Sequence, residues 1–242
     1  IEDDLGVRSA FYFLSEQRLF GDRPPREWLT TDGWRLFAGR YSLDDRRIRS
    51  LISELDAGGW EVGLHGSYES PTDRERLATE KRAVERVLGE PVRGGRQHYL
   101  RLSVPETWNH HRAIGLDYDC SPGSAERYGF EHGYEIKRPF DDSFVVFPLT
   151  LMELALPNVE TDPEEAWREC EQLLAEAADN GAAMTVLWHP RFFSDLDFPN
   201  YAELYRRLIE RARELGGWVG PPGEYYDRLD HPRPSITPRH PG

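Results

Sequence analysis

The chain has 242 residues, 38% hydrophobic and 30% charged, with aromatic residues at 12% and a net charge of −13. This length and composition suit a globular core and exclude collagen, coiled coil and wholesale disorder. No apolar run reaches the ~18 residues of a membrane span, and the acidic balance argues against nucleic acid or anionic lipid as a partner, because phosphate binding needs a basic face.

The basic residues are nearly all arginine, with Lys81 and Lys137 as the exceptions. An acidic, lysine-poor surface fits salt adaptation and fits a GC-rich genome equally well. Two cysteines, Cys120 and Cys170, stand far apart, which implies neither a disulfide framework nor a cysteine-rich zinc site. No signal peptide is visible, which slightly favours the cytoplasm but leaves the location open, because the chain opens on Ile1 rather than Met.

In chain order, Ser9–Leu14 reads as a buried, aromatic-rich strand. Gly21–Gly39 reads as a long insertion, a lid or a packed surface loop. Ile48, Leu51, Ile52 and Leu55 recur at helical spacing, and Gly58–Gly59 ends that helix. Trp60–Leu64 is the next strand. Ser70-Pro-Thr-Asp73 opens a helix to Leu88, with Pro71 in its first turn. A short strand-like stretch surrounds Val92. His110–His111 reads as a solvated helix face, and Asp117 and Asp119 flank a possible strand at Tyr118.

Phe144–Leu149 and Met184–Trp188 are further strands. Between them Thr161-Asp-Pro-Glu164 has the form of a capping box and opens a helix to about Asp179. Tyr201, Leu204, Tyr205, Leu208, Ala212 and Leu215 mark a last long helix, ended by Gly216–Gly217 before a short strand at Trp218–Gly220. Glu224 beyond it suits a capping role. Residues 1–229 then form one domain, and 230–242, with several prolines, form a disordered tail.

Strands alternating with helices predict a parallel sheet, as a β/α barrel or as an open doubly wound sheet. No glycine-rich phosphate loop follows any strand. In both architectures ligands meet the C-terminal ends of strands, so the first polar residue after each strand is the place to look. His65 follows Trp60–Leu64, and His189 follows Met184–Trp188. Either alone reads as a hydrogen-bonded strand-end residue; together they predict one shared mouth. Arg96-Gln-His-Tyr99 adds a cation, a titratable ring and a hydroxyl donor within four residues. A polar loop with a packed tyrosine is the plainer reading.

Three of these segments, in order, resemble a known family. Gly59-Trp-Glu-Val-Gly-Leu-His-Gly-Ser-Tyr68 resembles the second signature of the NodB-homology polysaccharide deacetylases, a strand ending in a metal-binding histidine. Arg96-Gln-His-Tyr99 resembles their third signature, and Leu187-Trp-His189 their fifth, an apolar strand ending in a catalytic histidine. Val7-Arg-Ser-Ala-Phe-Tyr-Phe13 resembles their second strand. The resemblance covers residues 7–226.

It implies an α/β fold, a distorted (β/α)7 barrel, with a divalent metal, commonly zinc, and hydrolysis of an acetamide on an amino sugar of a glycan. It implies His65 and Glu69 as metal ligands, His189 as the acid that protonates the leaving amine, and Arg96 as the residue that tunes a carboxylate base. Tyr99 would line the oxyanion site, with Tyr68, His98 and Arg101 against the carbohydrate.

The sequence departs from the family in three ways. Glu69 stands where a second ligand histidine is usual, which changes the charge and softness of the site. His98 stands where the family has proline and is an alternative ligand. The paired aspartates of the first strand are missing. Asp3–Asp4 does not supply them, because it belongs to the helix just before the second strand. The first strand is expected upstream of Ile1, or is absent. Besides the hydrolase, two readings remain open: a catalytically inactive barrel that binds carbohydrate, and a structural domain in surface-polysaccharide metabolism.

Overall fold

A computed structural model describes residues 1–16, 26, 29, 30 and 41–229. The tail at 230–242 and nearly all of the Gly21–Gly39 insertion lie outside the described residues. The chain divides into two compact units, Ile1–Leu116 and Asp117–Gly242, each with its own core.

In the first unit, α1 (Glu2–Leu5) stops at Gly6, whose φ of 64° is the left-handed turn glycine permits. Asp3 is spent on an ion pair with Arg8 at 2.8 Å, and Glu2 accepts from Trp60 Nε1 at 2.6 Å. The Asp3–Asp4 pair is thus part of a short helix, as the sequence implies. Strands β1 (Ala10–Leu14), β2 (Glu61–Gly66) and β3 (Gly94–Gln97) run parallel in that order. Helices α2 (Arg46–Ala57) and α3 (Arg74–Leu88) lie between them in sequence, and α4 (Glu106–Ala113) follows.

The alternation of a strand sorts β2 into two faces. Val62 and Leu64 are buried in a core with Phe13, Ile52, Leu77 and Val84. Gly63 and His65 fall on the opposite face. Gly63 is required there: a Cβ would sit 2.5 Å from the Tyr12 ring and 2.9 Å from the Gly94 carbonyl. Helix α3 begins at Asp73, whose side chain accepts from the Arg76 N–H, so the expected start at Ser70 is three residues early. Ser70 is occupied elsewhere, with its hydroxyl on the Ser67 carbonyl and on Gln97.

In the second unit, β4 (Tyr118–Asp119) pairs parallel with β5 (Val145–Val146), and β6 (Leu149–Met152) pairs parallel with β7 (Thr185–Leu187). The single strand expected over Phe144–Leu149 is therefore two. Helices α5 (Pro163–Asn180) and α6 (Tyr201–Glu214) place Ala166, Leu173, Leu174, Leu204 and Leu208 in one core with Leu151. The cap of α5 is Asp162, which accepts from the Glu165 N–H at 3.1 Å, rather than Thr161.

Trp218–Gly220 is not a strand. The Trp218 ring folds back over Gly220, where a Cβ would sit 2.2 Å from it, and packs on Tyr225. Helix α7 (Pro222–Asp227) follows, with Glu224 in its first turn paired to Arg228 at 2.5 Å. Both cysteines are buried, and burial pushes the Cys170 thiol up to about 12. Among the described residues no helix is long and apolar enough to cross a membrane.

Candidate active site

Parallel pairing brings the ends of β1, β2 and β3 level, with Leu14 opposite His65 and His65 opposite Arg96. His65 and Arg96 lie within β2 and β3 rather than after them. The His65 Nδ1 stands 2.8 Å from the Arg96 carbonyl. A carbonyl only accepts, so Nδ1–H is the donor and the ring's lone pair sits on Nε2. Arg96 is buried, with its guanidinium 5.2 Å from the Tyr12 ring centroid.

Four of the remaining candidates gather beside His65. The His98 ring meets that of His65 at 5.1 Å between centroids and that of Tyr99 at 4.6 Å. Tyr99 meets Tyr68 edge-on at 5.8 Å. The Arg101 guanidinium lies 4.0 Å over the Tyr68 ring, and its Nη1 donates to the Tyr68 carbonyl at 2.6 Å. Tyr99 and Leu100 both have positive φ, 57° and 54°. Side-chain-bearing residues pay about 1–3 kcal/mol for such backbone, and here the strain leaves Tyr99 59% exposed beside Tyr68.

A buried polar network holds this loop. The Glu80 carboxylate, 5% exposed, accepts from the Ser67 N–H at 3.0 Å. Burial pushes the Glu80 carboxyl up to about 7, with the nearby Glu16 adding to the rise and the Ser67 bond and Arg76 opposing it. Gln97 bridges Ser70 to His111, with Gln97 Nε2 and His111 Nε2 at 2.9 Å. His111 is 1% exposed, which corrects the expected solvated face: α4 turns this ring inward because Gln97 needs an acceptor for its amide.

In the second unit, His189 Nδ1 stands 2.5 Å from the Glu153 carboxylate. Glu153 has no exposure, whereas the His189 side chain is 42% exposed. The carboxylate accepts from Nδ1–H and fixes the orientation of the imidazole, an arrangement suited to proton transfer through Nε2. The second Glu153 oxygen has no hydrogen-bond partner and is buried. Asp119 is likewise buried and accepts from Ser121 at 2.5 Å.

Glu153 and Glu80 are the functional residues the sequence reading missed. Glu153 is the first polar residue after β6, so the strand-end rule selects it once the strand is drawn to Met152. Glu80 lies with Leu77, Lys81 and Val84 on the inner face of α3, and a charge on an apolar stripe was its signal.

The donor set does not complete a metal site. His65 carries one suitable nitrogen, and Glu69 is exposed next to Tyr68. Among the described residues no three His, Cys, Asp or Glu side chains stand close enough together to hold an ion. Zinc sites use at least three protein ligands, so the described residues do not fit a bound zinc.

The fold matches a solved structure from Mycobacterium smegmatis assigned as a polysaccharide deacetylase, with a TM-score of 0.63 at 17% identity, over 96% of this chain and 78% of that one. The chain has the polysaccharide-deacetylase fold. Also similar, at lower scores, are a CE4 family pseudoenzyme from Bacillus anthracis (TM-score 0.47, 13% identity, 95% of this chain and 60% of that one) and the CE4 domain of a multidomain xylanase from the hindgut metagenome of Trinervitermes trinervoides (0.48, 11%, 94% and 80%). The chain thus spans about three-quarters of the Mycobacterium protein and three-fifths of the Bacillus one. No protein-family model matches the sequence, and no curated protein matches it at a significant level.

Proposed function

We propose that this chain is a carbohydrate-active hydrolase of the deacetylase type, releasing acetate from an N-acetylated amino sugar in a glycan. The observation that carries the proposal is the His189–Glu153 pair. A fully buried carboxylate is costly unless paired, and it is spent here on orienting one half-exposed imidazole. A fold that needed only stability would place an apolar residue at 153.

Amide hydrolysis adds the oxygen of water to the acetyl carbon and breaks the C–N bond. The amine is a poor leaving group until its nitrogen takes a proton. His189, held in place by Glu153, can give that proton as the bond breaks. In the first unit, Tyr68, His98 and Tyr99 offer the ring faces and edges on which saccharides pack. Arg96 serves beneath them as the buried cation beside His65.

A second reading, a carbohydrate-binding domain without catalysis, is favoured by the lack of a three-ligand cluster among the described residues. Acetate release from an N-acetylglucosamine oligomer, followed by proton NMR with and without added zinc, separates the two. The hydrolase reading expects release that falls by roughly 10²–10⁴ in His189→Ala. Binding of the oligomer without any release would select the second reading.

A further inference from the structure

We infer that Arg101 is a receptor for an anionic group on the saccharide, so that the ligand of the Tyr68–Tyr99 cluster is an acidic glycan rather than a neutral one. This rests on the carbohydrate reading above and narrows it. Arg101 is exposed, and one of its nitrogens is used on the Tyr68 carbonyl while its plane lies on the Tyr68 ring. Those two contacts fix the guanidinium without neutralising it, and among the described residues no carboxylate pairs with it.

An arginine has five N–H donors in a rigid fork and no acceptor. Neutral sugar hydroxyls are matched by groups that both give and accept. A fixed fork with donors to spare is matched by a carboxylate or phosphate, which takes two parallel bonds.

The surroundings agree. The whole chain carries a net charge of −13. Yet Arg101 stands beside the ring cluster of Tyr68, Tyr99, His98 and His65, where its guanidinium is the exposed cation. Glu69 is the exposed acid next to Tyr68 in sequence. An exposed arginine on an acidic surface also guides an anionic ligand toward it.

The test uses the whole chain and binding alone, so it does not depend on turnover. Three probes are titrated by calorimetry: a neutral N-acetylglucosamine tetramer, a matched tetramer with one uronate carboxylate, and one with a phosphate monoester. The wild type is expected to bind an acidic probe about tenfold more tightly than the neutral one, and to lose that advantage as salt is raised. The uronate and phosphate arms show which source supplies the anion. Arg101→Gln is expected to bring the acidic and neutral affinities together, and Arg101→Lys to keep only part of the difference.

Equal binding of all three probes by the wild type, with no effect of salt, overturns this inference and leaves the carbohydrate reading standing. Failure of every probe to bind overturns both. The wild-type salt dependence decides the matter even if a variant fails to fold.

Discussion

Glu80 gives a prediction whose magnitude follows from the structure. The carboxyl is buried, and its pKa rises from the ordinary 4.5 to about 7. In the unfolded chain it loses its proton near 4.5; in the folded chain it keeps it until about 7. The folded state therefore binds more protons between these values, and stability falls as pH rises through that window. Each pH unit of displacement corresponds to about 1.4 kcal/mol, so the full penalty above pH 7 is about 3 kcal/mol.

Glu80→Gln removes the charge and keeps an oxygen for the Ser67 N–H. Urea unfolding of wild type and variant at pH 4, 6 and 8 should show little difference at pH 4 and a variant more stable by about 3 kcal/mol at pH 8. Glu80→Ala removes the same charge but strands the Ser67 N–H, so it should destabilise by about 1–3 kcal/mol at pH 4 and lose that disadvantage at pH 8. A difference between wild type and Glu80→Gln that does not change with pH would refute the reasoning.

Gly63→Ala should cost about 2 kcal/mol or more in the same assay, because its Cβ meets the Tyr12 ring and a fixed backbone carbonyl. Glu153→Leu should leave stability unchanged or raise it by about 1 kcal/mol, since it removes a buried, half-satisfied carboxylate; acetate release should fall at least tenfold, and a large loss of stability would contradict the functional assignment. Cys170 should resist a thiol reagent at pH 8 until urea unfolds the chain, because its thiol is buried and pushed up to about 12. Arg207→Ala should cost less than about 1 kcal/mol by thermal unfolding, since its pair with Glu164 is at the surface.

Much of the fold was legible because it rests on local signals. The strand at Trp60–Leu64, the helical spacing of Ile48, Ile52 and Leu55 and the helix end at Gly58–Gly59 mark elements that the structure contains. The strand-end rule led to His65 and His189, and His98, Tyr99, Tyr68 and Arg101 lie together beside His65.

What was not legible depends on partners distant in sequence. His111 looks solvated until Gln97, fourteen residues earlier, is seen against it. Glu153 follows β6, a strand that the sequence reading merged into Phe144–Leu149, and its partner lies 36 residues on. The cap at Asp73 displaced Ser70 because Ser70 bonds to Gln97, a tertiary contact that no capping pattern encodes.

The central claim is that the Tyr68–Tyr99 cluster binds a saccharide. Its most direct test is titration of an N-acetylated amino-sugar oligomer into the labelled chain, with the histidine and tyrosine ring signals followed by NMR. The account predicts saturable shifts at His65, His98, Tyr68 and Tyr99, lost in Tyr68→Ala while the fold persists. Unmoved ring signals at these four residues, for neutral and acidic oligomers alike, would contradict it.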